Sequence, residues 1–219
     1  MNVKEPFVIT ISREAGSGGH TVGGILAQKL NVRYCDKQLL ESLKRQFNLS
    51  ASGIEKLKGM KKNWLADFLG RVAPMPSAQA LDLDPRYTSD FRIDVTTDDV
   101  FQAEVEILKG FADMGSCVIA GRSGFFVLRD HPNKLSVFIT ASMPCRLERI
   151  MKKQNLSEES AMAVLKRLDQ ARENYIQRYA GVSRYDVRNY DLALTADGHT
   201  EEELADIILS YIKIGRAHV

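Results

Sequence analysis

Phe7-Val-Ile-Thr-Ile-Ser-Arg-Glu-Ala-Gly-Ser-Gly-Gly-His-Thr21 is an apolar run ending in a glycine-rich turn, and a helix-like stretch, Val22 to Leu30, follows it. A strand, a turn and a helix in that order aim unpaired backbone N–H groups at whatever lies over the turn, and the helix dipole adds positive character there. Gly16, Gly18 and Gly19 allow the backbone to curl around an oxygen-rich group without a Cβ in the way. The P-loop pattern is G-x-x-x-x-G-K-[ST], whose lysine reaches the β- and γ-phosphates and whose hydroxyl holds Mg2+. With Gly18 on the second glycine of that pattern, Arg13 takes the first glycine, Gly19 the lysine and His20 the hydroxyl position. The stretch Gly16-Ser17-Gly18-Gly19-His20-Thr21 therefore reads either as a phosphate cradle that has lost its lysine or as a structural turn between strand and helix.

Outward from this stretch, four more apolar runs read as strands: Val32 to Cys35, Cys117 to Ala120, Leu135 to Thr140 and Leu192 to Thr195. Their unbroken Val, Ile, Phe and Leu content suits parallel strands covered on both faces. Helical patterns separate them: the stripe Val100, Phe101, Val105, Leu108, Phe111; a Ser142-x-Pro144 start leading into Arg146 to Lys153; Glu158 to Tyr179; and the capping box Thr200-Glu-Glu-Glu203. The alternation predicts an α/β fold with a five-stranded parallel, doubly wound sheet and helices on both faces. Residues 37–99 read as a helical insertion over the site, or as a partner-binding face.

A chain of 219 residues that is 44% hydrophobic can bury one substantial α/β core, and its net charge of +2 makes no general case for nucleic acid. Cys35, Cys117 and Cys145 are odd in number and lack metal-ligand spacing, which disfavours a disulfide framework or a zinc site. With no signal-like start and no membrane-length apolar stretch, a soluble cytoplasmic protein is expected.

Ligands of open α/β sheets bind beyond the carboxyl ends of the strands, which here are Arg13, Asp36, Gly121-Arg122-Ser123, Ser142 and Asp197. Arg122 at such an end can grip a phosphate through two parallel hydrogen bonds, or pair with a helix carboxylate at the surface. A second cationic group, including Arg146, Arg149 and Arg172, lies on the helices after the fourth strand, with Asp169 one turn before Arg172. It reads as an arginine-bearing lid over a phosphoryl group or as solvated helix surface. Arg13 offers a cation in exchange for the lost lysine, and His20 a donor whose charge depends on ligand.

Taken in register, Ile9-Thr-Ile-Ser-Arg-Glu-Ala-Gly-Ser-Gly-Gly19, Tyr34-Cys-Asp-Lys37, Cys117-Val-Ile-Ala-Gly-Arg122, Asp169-Gln-Ala-Arg-Glu-Asn-Tyr175 and Asn189-Tyr-Asp-Leu192 resemble the cytidylate kinase-like family, P-loop relatives of nucleoside monophosphate kinases. The resemblance implies a core, an acceptor-binding insertion at 37–99 and lid-like helices at 143–180. It implies ATP phosphates on Gly16 to Thr21, with Arg146 and Arg149 on the ATP side. The acceptor phosphate would lie on Arg122 beside Asp36 and Ser123, and Arg172, oriented by Asp169, would hold the migrating phosphoryl. Mg2+ would bridge the phosphates, with Thr21 its nearest hydroxyl. Ser123 stands where true cytidylate kinases carry an acidic residue that reads cytosine, and only Ser42, Lys44 and Arg45 lie near the place of their phosphate-binding arginine, so base specificity does not carry over. The implied activity is phosphoryl transfer from ATP to a nucleoside monophosphate. A nucleotide-binding regulator, or a kinase of a hydroxyl compound with Asp36 as the carboxylate, remain open beside it.

Overall fold

The computed structural model describes residues 1–36 and 97–214. Within them the chain runs β1 (Val8–Arg13), α1 (Gly19–Leu30), β2 (Arg33–Cys35), α2 (Thr97–Asp113), β3 (Cys117–Ala120), α3 (Gly124–Val127), β4 (Lys134–Thr140), α4 (Met143–Gln154), α5 (Glu158–Ala180), β5 (Leu192–Thr195) and α6 (Glu201–Ile214). The strands and helices expected within these residues are all present, displaced at their ends by a few residues at most. Apart from the opening of α2, the expected insertion at 37–99 lies outside the described residues, as do Ser42, Lys44 and Arg45.

All strands pair in parallel in the order β2-β3-β1-β4-β5, with Ile11 beside Ala120 on one side and Val137 on the other. The chain leaves β1 for one edge of the sheet and later returns to the other, so the turn after β1 sits at the topological switch point. Alternation along β1 explains how both faces are filled. Ile9 and Ile11 join Val22 and Leu26 of α1 and Leu204, Ile208 and Ile212 of α6, whereas Val8 joins Ile107, Leu108 and Phe111 of α2 on the opposite face. Complete burial of side chains such as Phe111 and Ile107 stabilises the sandwich by about 1.5–3 kcal/mol each.

The continuous burial expected of every strand holds for β3 and for most of β1 and β4 but not for β2 and β5. Those two are the sheet edges, and β5 alternates half-buried Leu192 and Leu194 with exposed Ala193 and Thr195. The capping box at α6 forms in both directions: Thr200 N donates to Glu203 Oε2 at 2.8 Å and Glu203 N to Thr200 Oγ1 at 3.2 Å. Helices α4 and α5 pack on each other through Leu147, Ile150, Ala161 and Leu165, and this small core includes Ala15 of the turn after β1. Burial pushes the Cys117 thiol up to about 12 and the Cys35 thiol well above its ordinary value.

Candidate active site

The turn between β1 and α1 is held from outside itself. Glu14 N donates to Ile139 O at 3.1 Å, and the Glu14 carboxylate accepts from Ala141 N at 3.2 Å, from Arg146 Nη1 at 3.1 Å and from the Thr140 hydroxyl. Ala15 N donates to Asp169 Oδ1 at 2.9 Å, while Ala15 O accepts from Arg146 Nε at 2.7 Å. The Arg146 side chain, 6% exposed, also donates to Asp169 Oδ2. All but the last of these contacts bolt the turn to the end of β4 or to α4 and α5, and the last ties those two helices together. Arg146, expected to face ATP, is instead spent on this internal knot.

What the turn presents is the start of α1. Gly18 caps the helix in the left-handed conformation (φ 79°), no side chain caps it, and no acidic residue stands in its first turn. The first-turn N–H groups and the positive end of the dipole are therefore available to an anion. The Arg149 guanidinium lies over Gly18, since a Cβ placed there would fall 2.0 Å from Nη1. Its Nη2 is 3.3 Å from Glu201 Oε1, whereas Nη1 is buried without a hydrogen-bond partner.

Around this helix start the guanidinium groups of Arg13, Arg122, Arg172 and Arg184 gather. Arg172 Nη1 and Arg184 Nη2 both donate to Arg13 O, the former at 3.4 Å, and both lie beside Asp169 Oδ1, at 3.6 and 3.3 Å. Loss of water is the first cause that lowers the Arg172 pKa, with the Arg13 and Arg184 charges adding to it and Asp169 opposing. Arg13 is lowered likewise, first by burial and further by Arg184 and Arg122, against the opposing Tyr34 and Asp36. A guanidinium keeps its proton regardless, so such shifts mark charges held out of water first and pressed by neighbouring cations second, and a bound anion would offset both.

Arg122 reaches Glu104 of α2, Nη1 to Oε1 at 2.8 Å, and the Tyr175 hydroxyl donates to Glu104 Oε2 at 2.6 Å. Glu104 is thus a buried counter-charge that holds Arg122 and α5 together, and burial followed by that carboxylate raises the Tyr175 pKa. Gly121, Arg122 and Ser123 all take left-handed φ (83°, 54° and 57°). For the two non-glycine residues this conformation costs roughly 1–2 kcal/mol each. Ser123 Oγ is buried there with no hydrogen-bond partner.

His20 is engaged by Asp36 and Tyr34. Its Nε2 lies 3.1 Å from Asp36 Oδ2, an N–H donating to the carboxylate, and the Tyr34 hydroxyl donates to its carbonyl at 2.8 Å. Thr21 is exposed on the first turn of α1. No cluster of three or more His, Cys, Asp or Glu side chains suited to a metal ion occurs among the described residues.

The site thus brings together Arg13, Gly16 to Gly19, Arg122, Asp169 and Arg172, and sets Asp36 with His20 beside them. Glu14, Glu104 and Arg184 were missing from the sequence reading. Glu104 had a legible signal, a lone acid three residues after Phe101 on the apolar face of α2. Arg184, in the aperiodic segment after Gly181, had none.

The chain is 26% identical over 212 residues to the cytidylate kinase of Sulfolobus acidocaldarius, covering 96% of each. It is likewise 26% identical over 218 residues to the cytidylate kinase of Clostridium botulinum, covering 94% of this chain and 97% of that one. Its fold matches that of an uncharacterized protein from Eubacterium ventriosum with a TM-score of 0.67 and 22% identity, over 94% of this chain and 98% of the other. It also matches the shikimate kinase of Bacteroides thetaiotaomicron with a TM-score of 0.50 and 15% identity, over 94% and 97% of the two chains. Those two likenesses speak for the α/β kinase-like fold. The pattern of the cytidylate kinase-like family itself extends over residues 8–197, from the first residue of β1 to the Asp197 carboxylate beyond β5. With the sheet order, the turn at the switch point and a family match over most of its length, the chain belongs to the cytidylate kinase-like family.

Proposed function

We propose that the protein transfers the γ-phosphoryl group of ATP to a nucleoside monophosphate, with a CMP-like acceptor favoured by the family and by the names of its relatives. The observation that carries this reading is the crowding of Arg13, Arg122, Arg172 and Arg184 beside an uncapped helix N-terminus at the carboxyl ends of β1 and β3. An oxygen of the acceptor phosphate attacks the γ-phosphorus, the bond to the β–γ bridging oxygen breaks, and ADP leaves with that oxygen. An acceptor phosphate is already ionised near neutral pH, so no general base is required. The protein's contribution is position and positive charge.

In this reading the α1 N–H groups hold the ATP phosphates, Arg122 grips the acceptor phosphate near Asp36 and Ser123, and Arg172 meets the migrating group. Asp169 positions Arg172 and Arg184 while tying the turn to α5. Residues 143–180 act as the lid-like unit that carries this arginine. The donor set suits Mg2+ carried mainly by phosphate and water, with the Thr21 hydroxyl on the first turn of α1 and the Asp36 carboxylate beside His20 as the protein oxygens that would approach it. The ion, when bound, would supply positive charge that offsets the negative charge of the phosphates.

A hydroxyl acceptor is the second reading, favoured by the buried Asp36 carboxylate in contact with His20, a pair able to take a proton. One assay tests both: ADP release from MgATP with a panel of nucleoside monophosphates and polyhydroxy acids, beside Arg122→Ala. Turnover with a monophosphate that drops at least tenfold in Arg122→Ala supports phosphate as acceptor. ATP binding without turnover on any acceptor sinks the kinase reading.

A further inference from the structure

In the P-loop pattern position 13 is a glycine and position 19 a lysine; this chain has an arginine at the first and a glycine at the second. The structure shows that the two departures are one. A Cβ placed on Gly19 would fall 2.6 Å from Arg13 Cβ and 3.1 Å from Arg13 Cγ. Those atoms are the root of the side chain, fixed by the pairing of Arg13 with Ile139 in the sheet, and cannot swing aside. A side chain at 13 and a side chain at 19 therefore exclude one another.

The far end of Arg13 is placed just as narrowly. A Cβ on Gly121 would fall 1.9 Å from Arg13 Nη1. The stem thus crosses Gly19, and the guanidinium ends against the backbone that follows β3, facing the charges of Arg122 and Arg184. Its neighbours Arg146 and Arg184 spend their donors on Glu14, Asp169 and main-chain carbonyls, whereas the Arg13 side chain makes no hydrogen bond or ion pair with any described residue. A part-buried guanidinium with unused donors, beside the open start of α1 and an unpartnered Ser123 hydroxyl, is placed to meet a polyanion.

We propose that Arg13 supplies, from the end of β1, the polyphosphate-binding cation that the P-loop pattern supplies from the first turn of α1, with Gly19 and Gly121 as the two gaps that admit it. The proposal rests on the reading of this turn as a nucleotide phosphate site. Its consequence is geometric as well as electrostatic: a planar fork approaches the phosphates from the sheet side, offering two parallel donors where a lysine would offer a point charge.

The test uses the full chain, calorimetric binding of inorganic tripolyphosphate and of MgATP, and thermal unfolding of each variant. Arg13→Ala is expected to weaken tripolyphosphate binding roughly ten- to a hundredfold, the scale of a lost charge-assisted contact, with little change in Tm. Arg13→Lys, which keeps the charge, should retain most of the affinity. Gly19→Lys alone should lose both affinity and Tm, because its stem meets that of Arg13. The double variant Arg13→Gly with Gly19→Lys should recover both to within about threefold of wild-type affinity, since it relocates the cation by the rule of the pattern. Arg13→Ala binding as wild type, or Gly19→Lys behaving no worse than the double variant, overturns the proposal. MgATP bound without dependence on Arg13 removes the proposal and leaves the kinase reading standing. Tripolyphosphate bound through Arg13, with no binding of ATP, removes the kinase reading and leaves the proposal.

Discussion

Arg146 and Arg13 are two arginines beside the same turn, and their surroundings are opposite. Arg146 is wrapped by Glu14, Ala15 O and Asp169, so that Nε, Nη1 and Nη2 all donate. Arg13 faces the guanidinium groups of Arg184 and Arg122 against the opposing pull of Tyr34 and Asp36, and its side chain makes no hydrogen bond or ion pair with a described residue. A buried cation with a complete set of partners is part of the framework, and removing it strands the charges it served. A cation crowded by its own kind destabilises the empty fold and is useful only when an anion arrives. The two roles are set by what lies opposite and not by residue type.

The sharpest way to break this contrast is to replace both arginines with methionine, which keeps most of the stem. Arg146→Met should destabilise the fold by about 3–5 kcal/mol in urea unfolding, because it leaves buried Asp169 and Glu14 short of a partner. Arg13→Met should stay within about 1 kcal/mol of wild type, or gain stability, since it removes a charge held out of water without a hydrogen-bond partner among the described residues. Equal losses would show that Arg13 too is framework.

Glu104→Gln should produce a smaller effect with opposite signs in two measurements. The buried carboxylate that serves Arg122 and the Tyr175 hydroxyl becomes a weaker acceptor, costing about 1–3 kcal/mol of stability. The same change leaves the arginine cluster more positive, so tripolyphosphate should bind several-fold more tightly. Parallel loss of both would place Glu104 in the framework only.

The smallest effect concerns the β5 edge of the sheet. Asp197 is held down to about 2, first by the Ser142 hydroxyl and then by Thr195 Oγ1 and Ser142 N. Because this folded value lies below the ordinary 3.8, the contact stabilises fully above about pH 4 and is lost as pH falls through about 2. Between pH 5 and pH 2 the urea midpoint of Ser142→Ala should fall less than that of wild type.

The central strands were legible because β1, β3 and β4 are covered on both faces and need unbroken apolar sequence, and the α6 cap because its two partners stand three residues apart. The edges read less well, since β5 needs only one apolar face. In the site, the glycines and the cations at strand ends could be found from pattern and topology. Arg146 could not be told from a ligand-facing arginine, because the carboxylates that claim it lie 132 residues before it and 23 after it in sequence. The coupling of Arg13 with Gly19 was hidden for a related reason: two departures from a pattern look like two losses until their atoms are seen to need the same space.

The central place of β1 also bears on how this chain is made. Its sheet neighbours are Cys117–Ala120 and Lys134–Thr140, more than a hundred residues downstream. Synthesis proceeds at roughly 5–20 residues per second, so the strand spends on the order of ten seconds as an unpaired apolar segment after it is made. Its sequence is rich in β-branched residues, and Arg13 is its first basic residue. In that interval the same arginine that awaits a phosphate in the folded protein is a charge at the end of a sticky strand, a guard against pairing with another nascent chain before residue 140 emerges.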